Sequence, residues 1–139
     1  MTDDLPSSSD PRCLAEAQIS CPWGVLLVTD DESTDAIPSW ASDEDQVTNS
    51  STALVTRVVH QDDGEVLVRV WDGGGTFGGG LAFVGILQID SGRLRVSDAL
   101  GQQPVVVEVR PGPHGVQVFA NSSVEASSID LVIDPIGAG

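Results

Sequence analysis

Thr52-Ala53-Leu54-Val55-Thr56-Arg57-Val58-Val59-His60, Gln61-Asp62-Asp63-Gly64 and Glu65-Val66-Leu67-Val68-Arg69-Val70-Trp71 follow one another without interruption. Two runs rich in β-branched residues meet at an Asp-Gly pair. Branching at Cβ favours the extended backbone of a strand. Asp-Gly supplies the backbone freedom that a tight reversal needs, so the segment reads as a β-hairpin.

The same grammar repeats along the chain. Leu81 to Ile89 and Arg93 to Val96 flank Ser91-Gly92, which predicts a second hairpin. Pro104 to Val109 and Gly115 to Phe119 flank Arg110-Pro111-Gly112-Pro113-His114, which predicts a third. Leu14 to Ile19 alternates, and Trp23 to Thr29 holds a continuous Val25-Leu26-Leu27-Val28 stretch expected to be buried on both faces or covered. A last run, Ser128 to Ile133, closes the domain before Asp134-Pro135 ends the pairing. The sum is an all-β, mostly antiparallel domain of about eight to nine strands, a β-sandwich or small barrel.

A chain of 139 residues suits one domain. Residues 1–12 are rich in Asp, Ser and Pro with little to bury, and read as a disordered acidic leader before a single β domain at residues 13–136. Two loops interrupt that domain: an acidic one at 30–49 and a glycine-rich one at 73–80. The glycine-rich loop lacks the Lys followed by Ser or Thr that closes a phosphate loop, and no helix is expected after it, so phosphate binding is not expected there.

The net charge of -15 repels nucleic acid and anionic lipid and favours basic proteins or cations. Direct nucleic-acid binding is therefore not expected. No run is long and apolar enough for a membrane span, and the first residues lack a signal peptide's basic and apolar regions, so a cytoplasmic protein is expected. Cys13 and Cys21 are too few for a disulfide scaffold and lack the companion ligands of a zinc site. Free or half-buried thiols are expected, with pairing left open.

Catalysis needs a base near neutral pH, and His60 and His114 stand in no recognisable catalytic constellation. One is expected beside a hairpin turn and the other in the Pro-Gly-Pro turn, both as solvated side chains. The reading is a non-enzymatic binding protein without metal or cofactor. Its contact surface is expected on the acidic loop, where Asp30, Asp31, Glu32, Asp35, Asp43, Glu44 and Asp45 repel one another until a cationic partner arrives. Trp40 among them offers an aromatic anchor. The carboxylates do not follow the alternating-oxygen spacing of an EF-hand.

The stretch from Val84 to Ile133 runs from an apolar strand through Ile89-Asp90-Ser91-Gly92-Arg93-Leu94 and Pro111-Gly112-Pro113-His114-Gly115-Val116 to a terminal apolar strand. In this it resembles small bacterial all-β proteins of the competence protein J (nuclease inhibitor) and immunity-protein type. The resemblance implies an inhibitor or immunity-type protein that masks a basic protein surface such as a nuclease toxin. The alternative is a structural or self-assembling β-sandwich module that associates through an apolar face such as Leu81 to Ile89.

Overall fold

The computed structural model describes residues 12–32, 46–73, 79–98, 104–122 and 125–136. They form ten strands: β1 (Arg12–Ile19), β2 (Val25–Asp30), β3 (Val47–Asn49), β4 (Ala53–Arg57), β5 (Val66–Asp72), β6 (Gly80–Ile89), β7 (Arg93–Asp98), β8 (Val105–Glu108), β9 (Gly112–Ala120) and β10 (Ser128–Pro135). A 3-10 turn at Gln61–Asp63 is the only helical element among the described residues. The strands make two five-stranded sheets, one ordered β1-β5-β10-β9-β6 and the other β3-β4-β2-β7-β8. The fold is thus a mostly antiparallel sandwich rather than a barrel. Among the described residues the one parallel pair is β5 with β10.

All three expected hairpins are corrected. β4 lies in one sheet and β5 in the other, and the same holds for β6 and β7 and for β8 and β9. Each turn does reverse the chain and does place its glycine at positive φ: Gly64 at 145°, Gly92 at 77° and Gly112 at 122°. What each turn does not do is pair the strands it joins. Instead it carries the chain across the sandwich.

The first crossing shows the physical reason. β4 ends at Arg57, and Val58 and Val59 are buried but leave the ladder. The Val58 N–H donates to the Gly24 carbonyl and the Val59 N–H to the Ala126 carbonyl, so the two donors are satisfied by different parts of the molecule. Burying both valines outweighs extending a two-stranded ribbon that would leave their apolar surface in water.

Burial alternates along β2, with Leu26 and Val28 in the core and Val25 and Leu27 half-buried, so this run is buried on one face only rather than on both. The both-faces pattern belongs to β10, where Ile129 to Ile133 are all buried between β5 and β9. That is the expected burial of a strand with a parallel neighbour in the middle of a sheet. Pairing does not stop before Asp134-Pro135, since Pro135 still stands opposite His114. Ile19, Leu26, Leu54, Leu87, Ile89, Leu94, Ile129 and Leu131 fill the space between the sheets.

The leader expected at residues 1–12 lies outside the described residues except for Arg12, which opens β1 and pairs with Asp72 at 2.9 Å. Gly73 and Gly80 bound the glycine-rich segment, whose residues 74–78 also lie outside them.

Both cysteines are free. Cys13 is exposed, whereas Cys21 is buried, and that burial with the nearby Asp98 charge pushes its thiol up to about 12. Reaction requires the thiolate. A thiol reagent at pH 8 is therefore expected to label one cysteine per folded chain and two after denaturation; rapid labelling of both in the folded protein would contradict this packing.

Candidate functional site

The first three acidic-loop candidates have distinct environments. Asp30 ends β2 with an inward side chain, 6% exposed. Its carboxylate accepts from the Ser91 hydroxyl, from the Ser91 N–H at 3.1 Å and from the Glu32 N–H at 3.1 Å. Burial pushes the Asp30 pKa up, but the Ser91 hydroxyl and the backbone N–H groups pull it further down, below the ordinary carboxylate value. Asp30 is therefore a structural anchor, tying the acidic turn to the β6–β7 crossing.

Asp31 and Glu32 follow on the surface. Arg93, at the start of β7, bonds Asp31 through Nε at 3.2 Å and Glu32 through Nη2. The bonds to Asp31 and Glu32 hold the Arg93 guanidinium above its ordinary value. The Asp31 N–H donates to the Arg93 carbonyl at 2.8 Å, so backbone and side chains fix the same turn. Glu32 stays 65% exposed at its side chain and available to a partner. Asp35, Trp40, Asp43, Glu44 and Asp45 lie outside the described residues.

Reading the sequence alone passes over Ser91 and Arg93, because each meets the acidic turn across about sixty residues of chain. Ser91-Gly92 is legible as a turn, but nothing in it says which carboxylate it will receive.

A folded-state pKa held below the unfolded value gives Asp30 a stabilising effect that is present above about pH 4 and lost as pH falls through the folded-state value. Asp30→Asn is expected to lower stability at pH 7 by about 1–3 kcal/mol. The difference from the parent should shrink in acid, as measured by denaturant unfolding at pH 7 and pH 3. An equal loss at both values would contradict the assignment.

The two histidines take different places. His60 is half-exposed, and its Nδ1 accepts from the Asp62 N–H at 3.1 Å, capping the 3-10 turn. His114 is not the solvated turn residue expected: it lies within β9, 1% exposed, with its ring in the inward row of Val116 and Val118. Its Nδ1 lies 3.0 Å from the Gly112 carbonyl oxygen. No group of three or more metal-binding side chains occurs among the described residues, and no helix there is long and apolar enough to cross a membrane.

The outer face of β6 carries an apolar patch. A register shift between Leu81 and Phe83 lets Leu81 and Val84, three apart, share that face with Ile86. The three are 54%, 63% and 54% exposed, and β6 is an edge strand.

No protein-family model and no curated protein matches the chain. Among solved structures it is similar to two. Crocagin biosynthetic gene J superposes with a TM-score of 0.60 at 15% identity, over 91% of this chain and 99% of that one. The chain is also similar, with a TM-score of 0.72 at 9% identity over 91% of this chain and 99% of that one, to ComJ of Bacillus subtilis, described as the inhibitor of the DNA-degrading activity of NucA; the resemblance seen in the C-terminal half thus extends over the fold.

Proposed function

We propose that this chain is a non-catalytic, inhibitor-type protein that masks a basic protein surface, such as that of a DNA-degrading enzyme. The observation that carries the reading is the net charge of -15 on an inhibitor-type fold. Carboxylates can stand where the phosphates of a nucleic acid would otherwise sit on a basic surface. The contact surface is Asp31, Glu32, Asp35, Trp40, Asp43, Glu44 and Asp45, with Asp30 holding the base of the loop in place. Fixing the turn through Ser91 and Arg93 lowers the ordering cost of association.

The test is a pull-down with purified chain from extracts of the cells that make it, at low salt and again at about 0.5 M salt, where the Debye length falls to about 4 Å. Release of a basic protein at high salt supports the reading. Capture of only acidic or neutral proteins contradicts it.

The exposed Leu81, Val84 and Ile86 on an uncharged edge strand favour a second reading, a module that self-associates through β6. It predicts oligomers that persist at high salt and fall apart on Val84→Lys. A monomer by light scattering at all salt concentrations excludes it.

A further inference from the structure

Among the described residues β6 is the one long, unprotected edge of the sandwich. Edge strands are ordinarily kept short or charged, because their free N–H and C=O groups would otherwise pair with another chain. β3 and β8 have three and four residues, and β1 carries Arg12 and Glu16. β6 has ten residues and no charge.

The ladder shows which backbone groups of β6 are open. The Gln88 N–H donates to the Ser51 carbonyl at 2.7 Å, away from β9, and Pro113, opposite Gln88 on β9, has no N–H to offer. Backbone groups alternate in direction along a strand, so those of Ile86 and Val84 point the same way as those of Gln88. No described residue bonds them there. Their side chains, 54% and 63% exposed, lie on the outer face beside the same opening. An added strand would find two N–H donors, two carbonyl acceptors and an apolar surface together.

Charge decides between occupants. Asp90 is exposed just past one end of β6, and Glu125 is exposed in the β9–β10 turn at the other end, where Gly80 stands opposite Ala120. Arg93, three residues on from Asp90, is already paired with Asp31 and Glu32. A second copy pairing antiparallel would bring the Asp90 end of each strand to the Glu125 end of the other, between chains of net charge -15. A strand with a basic residue at each end meets attraction at both.

We infer that β6 takes an added strand from a basic protein partner, apolar opposite Val84 and Ile86 and flanked by Arg or Lys. This mode of docking rests on the proposed basic partner and adds β6 to the surface that meets it.

The probe is the acetylated and amidated peptide Arg-Thr-Val-Thr-Val-Thr-Arg, added to the full chain labelled with nitrogen-15. The amide resonances of Val84 and Ile86 are the readout. Both are expected to shift and to gain protection from hydrogen exchange. A peptide N-methylated at its two valines keeps the side chains and charges and should bind about tenfold or more weakly. Replacing its two Arg by Glu should weaken binding about tenfold or more as well. Val84→Pro removes an outward N–H without touching the β6–β9 ladder, a placement that edge strands tolerate, and should abolish binding. Val84→Thr keeps the N–H and should bind within about threefold of the parent. Three outcomes would each overturn the assignment: no shift of either amide up to about 10 mM peptide, equal binding of the N-methylated peptide, or shifts of the two amides that grow with chain concentration alone, which would make the occupant a second copy. The peptide supplies its own strand and charges, so its binding does not depend on whether an extract yields a basic protein, and failure of the one is told apart from failure of the other.

Discussion

Leu131→Ala is expected to lower the free energy of unfolding by about 2–5 kcal/mol, the range for removing a fully buried leucine from a core that cannot collapse around the gap. Leu131 is 0% exposed and stands at the centre of β10, opposite Val118 of β9 and Val70 of β5. Those two neighbours are themselves 0% and 1% exposed, so no solvent-facing side chain is placed to swing in and fill the space. Because β10 joins the antiparallel and the parallel pairs of its sheet, the loss should appear as one cooperative transition at lower denaturant. Leu67→Ala, at a half-buried outward position of β5, serves as the comparison and should cost about 1 kcal/mol. Equal costs at the two positions would mean that the two sheets do not share the described core.

The second large effect concerns association. Replacing Asp31, Glu32, Asp35, Asp43, Glu44 and Asp45 by their amides removes six of the charges behind the net -15 while leaving the Asp30 anchor intact. The association rate with a basic partner is expected to fall about 10- to 100-fold at low salt. At about 0.5 M salt the parent and variant rates should converge, because screening removes the steering in both. Trp40→Ala should instead raise the dissociation rate and show little salt dependence, as an aromatic anchor does. A variant that associates as fast as the parent at low salt would remove the acidic segment from the contact surface.

Within that set, Asp31 and Glu32 differ from the others in that both already bond Arg93. Their contribution is partly spent inside the chain, and the pair sits on the surface, where such bonds are individually weak. On the proposed reading, the larger share of the steering is therefore expected from Asp35, Asp43, Glu44 and Asp45.

Strand positions and turns were legible in the sequence because both are local. Alternation from Val66 to Val70 and the glycines at 64, 92 and 112 record an extended backbone and a positive φ without reference to the rest of the chain. Strand partners were not legible. Asp63-Gly64 looks the same whether the next strand returns beside the last one or crosses to the opposite sheet, and the choice is made by where Val58 and Val59 can be buried. The parallel pairing of β10 with β5 likewise depends on register across about sixty residues.

The candidate site divides in the same way. The acidic character of the turn after β2 is plain from composition, whereas its fastening through Ser91 and Arg93 is a tertiary fact. His114 is the instructive miss. Extending the alternation of Val118 and Val116 back by two residues puts His114 on the inward row, but the flanking Pro-Gly-Pro turn chemistry argued for an exposed loop. Period outweighed turn composition because β9 starts at Gly112, inside that turn.

Masking of a basic protein surface, as proposed, is tested by following the degradation of double-stranded DNA by an extract of the cells that make the chain, with purified chain added in increasing amounts at low salt. The activity is expected to fall to a plateau at a fixed ratio of chain to enzyme, and the six-fold amide variant to need a much higher concentration for the same effect. Undiminished DNA degradation at saturating chain, or equal inhibition by the parent and the amide variant, would contradict it.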